Sequence, residues 1–370
     1  MFSSHQPVLQ PGAVILVTGV SGFIGSHVAD QLLAAGYTVR GTTRDAAKNA
    51  WLADKFAERY GKGRFELHGV PDMAAEEAFD RILDVLIRYM CRAGASGVIN
   101  IASDTTFSPD PHAVITPIVA GTLALARAAA RTPSVQRFVQ TSSCASAANP
   151  GPGPDGAYPT VTAQTWNDEA VRQAWAPPPY EPARGFAVYS ACKTEVERKL
   201  WEWYREAKPA FVLNAVLPSM NMGKSFDVTH QGHPSTSGLV QALFTGNHDV
   251  LASAAQYRAP TTNRRTHAHP DFYIDVQDTA RLHVAALLHP AVREERIFAY
   301  AGPYTWRTIQ QTMQKLYPRR AFAPDVADAP LDGSVVPGTA RAEDLLREMG
   351  REGWTSLEDC VRMNTEDLAV

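Results

Sequence analysis

Residues 13–36 read AVILVTGVSGFIGSHVADQLLAAG, and this stretch decides the fold. An uninterrupted apolar run ends at Thr18 and predicts a strand that is buried on both faces. A turn with three glycines follows, and then a helix that Gly36 closes. A strand, a glycine turn and a helix in this order are typical of a site for the diphosphate of a dinucleotide, because the helix N-terminus carries partial positive charge.

The glycines of this turn have different physical roles. Gly19 allows a tight turn, Gly22 lets backbone N–H groups approach a pyrophosphate, and Gly25 lets the helix pack closely on the strand. Three glycines in an ordinary loop are the alternative, but the position between a strand and a helix favours a nucleotide site. The residues here that we expect to bind the cofactor are Thr18, Gly19, Gly22, Phe23, Ile24 and Gly25.

Strands and helices continue to alternate through the first 217 residues. Further strands are predicted at YTVRGTT, RFELHG, GVINIAS, RFVQTSS and AFVLNAVLP, and helices at residues 46–59, 74–94, 118–130 and 193–207. Buried strands separated by helices of this length require parallel crossovers. The predicted fold class is therefore α/β, a doubly wound parallel sheet of the Rossmann type, with its crevice at the carboxyl ends of the strands.

The chain is expected to divide near residue 217. Residues 12–217 would form the dinucleotide-binding domain, which also receives residues 271–290, and residues 218–370 would form mainly a smaller, interleaved substrate-binding lobe. Residues 149–185 are rich in proline, glycine and aromatic residues, which predicts a long structured loop over the crevice.

Composition excludes several classes of partner. The chain of 370 residues is 45% hydrophobic and 20% charged, with a formal net charge of −3. No run of five or six like charges is present, so neither nucleic acid nor a membrane surface is an expected partner. The most basic segment, at residues 261–270, is interpreted as a solvated loop.

The cysteines and the apolar segments indicate a cytoplasmic protein. Cys91, Cys144, Cys192 and Cys360 are scattered without the spacing of a metal site, which favours a reducing compartment and no bound metal. The first twelve residues lack the apolar core of a signal peptide. The apolar segment 115–130 is interrupted by Pro117, and we expect it to be a buried helix that is too short to span a bilayer.

The end of the second strand predicts the cofactor. A site for NAD places a carboxylate there to bind the ribose 2′-hydroxyl, whereas a site for NADP needs a cation for the 2′-phosphate. Thr43 occupies the expected acidic position and Arg44 follows it. Guanidinium pairs with phosphate, so NADPH is expected in preference to NADH. Arg44 as a plain surface residue is the alternative, and Asp45 could neutralise it.

The spacing Tyr-x-x-x-Lys occurs twice, at Tyr189 and Lys193 and at Tyr204 and Lys208. Residues four apart lie on one face of a helix, so either lysine could act on its tyrosine. Tyr204 lies fifteen residues after Tyr189, about 22 Å along a helix, so one substrate cannot reach both. The first pair begins the helix near the crevice and the second ends it on the opposite side of the sheet. We therefore assign the chemistry to Tyr189 and Lys193, and interpret the second as an exposed aromatic–charge pair.

A tyrosine beside a lysine suits the reduction of a carbonyl. Hydride transfer from nicotinamide leaves an alkoxide that must be protonated, and a free tyrosine with a pKa of about 10 is a poor partner near neutral pH. The ammonium of Lys193 would lower that pKa, and it can also bind the nicotinamide ribose.

These motifs resemble the extended short-chain dehydrogenase/reductase family. The blocks GYTVRGTTRD, PDMAAEEAFD, GVINIAS, VAGTLALARAA, RFVQTSS, YSACKTEVE, FYIDVQDTARLHV and GWTSLEDCV are similar to its branch of dihydroflavonol reductases, cinnamoyl-CoA reductases and fungal or yeast NADPH-dependent carbonyl reductases. The resemblance covers residues 13–361. It implies the Rossmann fold, carbonyl reduction, and either a monomer or a homodimer.

The resemblance also implies roles for further residues. It identifies Ser143 as the catalytic serine that donates to the substrate oxygen, with Ser142 as the alternative. Further cofactor contacts are implied for Asp72 and Met73 at adenine, Ile101, Ala102 and Ser103 beneath the cofactor, Thr141 and Pro218 near nicotinamide, and Ser235 at the diphosphate. Asp72 could instead cap a helix, and Pro218 could merely end a strand.

The chain departs from the family pattern at three positions. Lys224 stands where proline is usual, Asn100 where histidine is common, and Asp104 where proline is frequent. These changes bear on the identity of the substrate more than on the class of reaction.

The leading hypothesis is an NADPH-dependent oxidoreductase that reduces an apolar or aromatic aldehyde or ketone. The candidates for its pocket are Phe107, Tyr180, Phe186, Met220 and Phe226. A nucleotide-sugar epimerase or dehydratase is the alternative enzyme, but VLPSMNMGK lacks the Arg-aromatic-Asn pattern of those relatives. A non-catalytic NADP-binding sensor is the third hypothesis, and the retained serine, tyrosine and lysine argue against it.

Overall fold

The computed structural model describes residues 5–75, 77–83, 94–153, 156–247, 249, 271–327 and 329–369. Two predicted features lie wholly or largely outside these residues. They are the basic segment 261–270 and most of the helix at 74–94, of which Asp80–Leu83 is described as helical.

Most of the strands belong to one parallel sheet. In the described residues the strands are β1 (Val14–Thr18), β2 (Thr38–Thr43), β3 (Phe65–Gly69), β4 (Ala95–Asn100), β5 (Arg137–Thr141), β6 (Val212–Pro218), β7 (Met220–Met222), β8 (Asp271–Asp275), β9 (Arg296–Ala299) and β10 (Gly302–Tyr304). The central sheet has the order β3-β2-β1-β4-β5-β6-β9, and every neighbouring pair is parallel. The predicted Rossmann architecture is confirmed. Strand β9 was not predicted, because a four-residue run carries little periodic signal.

Helices cover both faces of this sheet. The helices of the described residues are α1 (Phe23–Ala34), α2 (Ala50–Tyr60), α3 (Asp80–Leu83), α4 (Pro111–Arg131), α5 (Asp168–Ala174), α6 (Gly185–Ala207), α7 (Val228–Gln231), α8 (Ser237–Thr245), α9 (Val276–Leu288), α10 (Trp306–Leu316), α11 (Thr339–Glu348) and α12 (Leu357–Thr365). On one face, Val28 of α1 and Leu282 of α9 share a core with β1 and β2. On the other face, Leu125 of α4 and Leu200 of α6 share a core with β4 and β5.

Helix α4 begins seven residues earlier than predicted. The carboxylate of Asp110 accepts a hydrogen bond from the His112 N–H, and Pro111 stands at the first helical position. Both are helix-start signals. Pro117 lies inside the helix and does not interrupt it as expected.

The expectation that this apolar segment is too short for a membrane was wrong. Within the part of the chain that the structure describes, α4 is the one helix whose length and composition would allow it to cross a membrane, with 21 residues and a mean hydropathy of 1.6. The core helix of a soluble protein passes the same test, and one face of α4 packs on α6.

A second, smaller sheet follows the sixth strand. It has the order β10-β8-β7, and it shares a core with α8, α10 and α12 that includes Met222, Leu243 and Ile309. Between these elements, α9 and β9 return to the central sheet. The exact domain boundary near residue 217 stays a prediction.

Candidate active site

The glycine turn lies at the carboxyl end of β1. Gly19 has a φ of +63°, in the left-handed region, and a Cβ at this position would lie 3.0 Å from the backbone of Ala102. A Cβ on Gly25 would collide with the carbonyl of Gly19. No side chain caps α1 at Gly22. The turn therefore brings bare backbone and a helix N-terminus to the strand end, which fits a pyrophosphate.

Thr18 joins the ends of two strands. Its buried hydroxyl donates to Oδ1 of Asn100 over 2.6 Å and accepts from the N–H groups of Ile101 at 2.9 Å and Ala102 at 3.1 Å. One donor and two acceptor positions are all that a hydroxyl has. The Thr18 side chain is thus fully used within the protein, a role that sequence reasoning missed. Asn100 also donates to Gln140 at 2.9 Å, so this departure from the family pattern belongs to the same network.

Ser103 carries a buried polar atom beside this turn. Its Oγ has no hydrogen-bond partner among the described residues. Buried hydroxyl groups are nearly always paired in folded proteins. A hydroxyl without a partner, following strand β4 and next to the Ala102 backbone that touches Gly19, fits a polar group of a bound dinucleotide.

The end of β2 presents an exposed cation, Arg44, that has no carboxylate partner among the described residues. The carboxylate of Asp45 accepts from the Lys48 N–H at 2.9 Å, and no ion pair joins Asp45 to Arg44 in the described ranges. Thr43 lies inward, with its Oγ1 3.1 Å from Oγ of Ser21 in the glycine turn.

The other cofactor residues implied by family resemblance have mainly local contacts. Asp72 is exposed and accepts from the Ala74 N–H at 2.8 Å, so it caps a turn rather than the helix considered as the alternative. Met73 packs against Gly121 of α4. Pro218 is the last residue of β6, and Ser235 has a φ of +55° just before α8. The structure does not bring these four into one hydrogen-bonded cluster.

Ser143 and Ser142 face different neighbours. Strand β5 ends at Thr141, two residues earlier than predicted, and Ser143 begins a short 3-10 helix at Cys144–Ser146. The hydroxyl of Tyr189 lies 3.5 Å from Oγ of Ser143. Ser142 instead donates to the carboxylate of Glu197 at 2.6 Å. The geometry therefore favours Ser143 over Ser142 as the partner of Tyr189.

Lys193 is buried beside the tyrosine. Its Nζ lies 6.0 Å from the centre of the Tyr189 ring and donates to the carbonyl of Thr141 over 3.4 Å. Burial lowers the pKa of the Lys193 ammonium. A buried cation at this distance favours a negative charge on the phenol oxygen.

The side chain of Thr141 has a different partner. Its Oγ1 lies 2.8 Å from Nε2 of His283, whose Nδ1 lies 2.8 Å from the carbonyl of Thr279. Burial lowers the pKa of His283 to about 4, so the ring is neutral near pH 7. Nδ1 must then donate to the carbonyl, and the Thr141 hydroxyl donates to Nε2. His283 was missed because nothing local in the sequence connects α9 to the end of β5.

The second Tyr–Lys pair has another environment. Tyr204 is half-buried rather than exposed, and its hydroxyl donates to Glu294 at 3.2 Å. Its ring packs against Phe211 and Trp201. Lys208 is exposed and ends α6. The interpretation as an exposed pair was therefore wrong for the tyrosine, because the chain after α6 folds back over it.

Two of the five pocket candidates contact Tyr189. The ring centre of Phe107 lies 5.2 Å and that of Phe186 6.2 Å from the tyrosine ring. The others pack elsewhere: Tyr180 on Arg184, Met220 in the core of the small sheet, and Phe226 on Phe56 and His27. Sequence reasoning could not separate them, since aromatic residues serve cores and pockets alike.

One cluster of possible metal ligands occurs in the described residues, and it is His5, His289 and Glu348. Nδ1 of His289 accepts from the Ala291 N–H at 3.1 Å, so its Nε2 carries the proton and donates to Glu348 at 2.7 Å. A metal-bound histidine donates through its other nitrogen. We therefore interpret the cluster as a hydrogen-bonded contact.

Comparison with known families agrees with this geometry. The model of the NAD dependent epimerase/dehydratase family matches residues 15–299. The chain belongs to this family, and the predicted membership of the extended short-chain dehydrogenases/reductases is confirmed.

Individual relatives match over almost the whole chain. Aldehyde reductase 2 of Sporidiobolus salmonicolor is 39% identical over 96% of this chain and 96% of its own. The NAD-dependent epimerase/dehydratase terH of Aspergillus terreus is 36% identical over 95% and 96%. Among solved structures, Gre2 of Candida albicans in complex with NADPH is 22% identical, with a TM-score of 0.77 over 96% of this chain and 98% of that one. At this identity the structural likeness supports the fold alone.

Proposed function

We propose that this protein is an NADPH-dependent reductase that converts an aldehyde or ketone into an alcohol. The observation that carries the proposal is the cluster of Tyr189, Ser143 and buried Lys193 at the carboxyl end of β5, on the same edge of the parallel sheet as the glycine turn after β1. The 39% identical relative named an aldehyde reductase supports the reaction class, and the NADPH complex of the Gre2 neighbour supports the cofactor.

The residues that would hold the dinucleotide follow the strand ends. The glycine turn and the start of α1 would bind the pyrophosphate, and Ser103 Oγ would find a partner in the cofactor. The Lys193 ammonium has three donors, of which one bonds to the Thr141 carbonyl. The remaining donors suit ribose hydroxyl groups. When bound, the reduced nicotinamide supplies the hydride.

The side chains of the cluster would bind and protonate the substrate oxygen. Ser143 would donate a hydrogen bond to the carbonyl oxygen and stabilise the negative charge that develops there. Tyr189 would donate its phenolic proton to that oxygen, leaving a phenolate. The nearby Lys193 cation stabilises the phenolate, because opposite charges favour the ionised form. The rings of Phe107 and Phe186 next to Tyr189 support an apolar or aromatic substrate.

Arg44 would select NADPH over NADH. Its guanidinium is exposed at the end of β2, and the carboxylate of Asp45 accepts a hydrogen bond from the Lys48 N–H instead. Replacing Arg44 by alanine should raise KM for NADPH about 10- to 100-fold, the value of a charge-assisted hydrogen bond, and leave KM for NADH unchanged. The matched control is Arg59→Ala, which removes an exposed arginine that pairs with Asp30 on α1. Equal losses with both cofactors would contradict the assignment.

The direct test of the function is NADPH oxidation with aromatic aldehydes, β-keto esters and diketones, run beside NADH. A reductase consumes one NADPH for each alcohol formed. An epimerase returns the hydride to its substrate and consumes none, so the absence of stoichiometric oxidation across these carbonyls would overturn the proposal.

A further inference from the structure

A buried ion pair next to the cluster has no part in the chemistry above. The guanidinium of Arg296, on β9, approaches the carboxylate of Glu197, on α6, with Nε 2.7 Å from Oε1 and Nη2 3.1 Å from Oε2. The two side chains are 5% and 1% exposed. Two parallel contacts fix both planes, so the pair is a rigid junction rather than a surface ion pair.

The same carboxylate holds the backbone around Ser143. Oε2 of Glu197 accepts from the hydroxyls of Ser142 at 2.6 Å and Ser146 at 2.9 Å. Ser146 Oγ also lies 2.8 Å from the carbonyl of Ser143, and the two flanking hydroxyls are 2.9 Å apart. Each hydroxyl has a single proton, so Ser146 can donate either to this carboxylate or to the Ser143 carbonyl, and both contacts hold the turn that contains Ser143. The residues on either side of Ser143 are therefore tied to one acidic group.

The guanidinium extends the junction to the long loop. Arg296 donates to the carbonyls of Ala163 at 3.0 Å and Thr165 at 2.8 Å, and it stacks over the ring of Trp166 at 4.0 Å. These residues belong to the proline-rich segment 149–185 that leads into α6. One ion pair thus joins β9, α6, the loop and the turn after β5.

We propose that Glu197 and Arg296 are positioning residues that aim the Ser143 hydroxyl at the substrate oxygen. The inference rests on the proposed function. Ser143 has an extended backbone, and its Oγ accepts from the Ala145 N–H at 3.2 Å. The direction of its hydroxyl is therefore set by the backbone that Ser142 and Ser146 hold. Neither charged residue touches the substrate, and both act through the serine.

The first test is Glu197→Gln, which keeps the shape of the side chain and removes its charge. We expect kcat to fall about 10- to 100-fold, as displacement of a reacting group by about 1 Å does, while Kd for NADPH stays unchanged. The matched control is Glu202→Gln, an exposed carboxylate on the same helix that pairs with Lys199 at 2.8 Å. It should leave kcat unchanged.

A double-mutant cycle with Ser143→Ala separates positioning from general stability. If Glu197 acts through Ser143, Glu197→Gln should cost little further kcat once the serine hydroxyl is absent. A fold reduction that is equal in both backgrounds would overturn the inference. If Ser143→Ala by itself leaves kcat unchanged, the proposed function fails instead, so the two failures are distinguishable.

Milder variants cover the case in which Glu197→Gln does not fold. Ser142→Ala and Ser146→Ala each remove one hydroxyl from the carboxylate and leave the ion pair intact. With Tm within a few degrees of wild type, each should lower kcat about tenfold at unchanged NADPH Kd. Full kcat in both serine variants would overturn the inference whatever Glu197→Gln does.

Discussion

The two ends of α6 carry the same spacing of tyrosine and lysine in opposite surroundings. At the first end, Tyr189 meets Ser143 and the buried Lys193. At the C-terminal end, Tyr204 donates to the carboxylate of Glu294, and Lys208 is exposed.

The difference lies in the charges that face each phenol. The pKa of Tyr204 is raised by burial first and then by Glu294, so its phenolate is disfavoured. Tyr189 has a cation next to it and a serine rather than a carboxylate at its hydroxyl. Sequence spacing brings an amine near a phenol, but the neighbours decide whether the phenol can exchange a proton near neutral pH.

Removing the two hydroxyls should produce the largest contrast. Tyr189→Phe should lower kcat by about 10³-fold, since general acid catalysis contributes 10²–10⁴, while Kd for NADPH stays at the wild-type value. Tyr204→Phe, measured in the same assay, should keep kcat within about twofold of wild type, as expected for a residue away from the reacting atoms. Undiminished turnover by Tyr189→Phe would refute the assignment of the proton donor.

Removing the two amines should produce the next contrast. Lys193→Met should lower kcat about 10²-fold at pH 7. In the alcohol-oxidising direction, the phenolate is the required base, and loss of the cation disfavours it. The apparent pKa of the pH–rate profile should therefore move upward. Lys208→Met should leave this apparent pKa unchanged. A shift of equal size in both variants would contradict the assignment of different roles to the two lysines.

A change at Glu294 should alter the pKa of Tyr204 and leave the activity of the candidate active site unchanged. Glu294→Gln removes the charge that helps to raise the pKa of Tyr204, so the tyrosine should ionise at lower pH than in the wild type. Ultraviolet titration of the phenol band against Tyr204→Phe as a blank would measure the shift. Activity should be unaffected, and a change in the pH–rate profile would link this end of the helix to catalysis.

The smallest effect is expected at the C-terminal end of α6. Lys208 has a φ of +45°, in the left-handed conformation that favours glycine at helix ends. Lys208→Gly should raise the free energy of unfolding by about 0.5–1 kcal/mol without changing kcat. Thermal unfolding would detect this gain, and destabilisation would indicate that the lysine side chain makes a contact of its own.

Much of the fold could be predicted from local patterns. The strand–glycine–helix start and the alternation of strands and helices predicted the parallel sheet, which the structure confirms. The early start of α4 was missed because we expected Pro117 to interrupt the segment. Asp110 and Pro111 are nevertheless both helix-start signals. Strand β9 was missed because its run of four residues carries little periodic signal.

The candidate site was predictable in its residue types but not in its supports. Tyr189, Lys193 and Ser143 were chosen from spacing and family resemblance. No sequence pattern indicated that His283 contacts Thr141 or that Glu197 contacts Ser142. Each of these two residues acts through partners distant in sequence. Phe226 was assigned to the pocket because an aromatic residue after β6 can serve either a pocket or a core.

The amino-acid sequence by itself determined the class of fold and the place of the dinucleotide turn. Apolar runs extend over a few residues, and a glycine between a strand and a helix is a local requirement, so both can be read along the chain.

Only the tertiary structure decided which polar groups face the hydroxyl of each tyrosine. Ser143 is 46 residues from Tyr189, and Glu294 is 90 residues from Tyr204. Burial and charge are properties of neighbours in space, and chain folding brings those neighbours together from segments that share no local pattern. Two identical spacings on one helix therefore acquire opposite electrostatic surroundings.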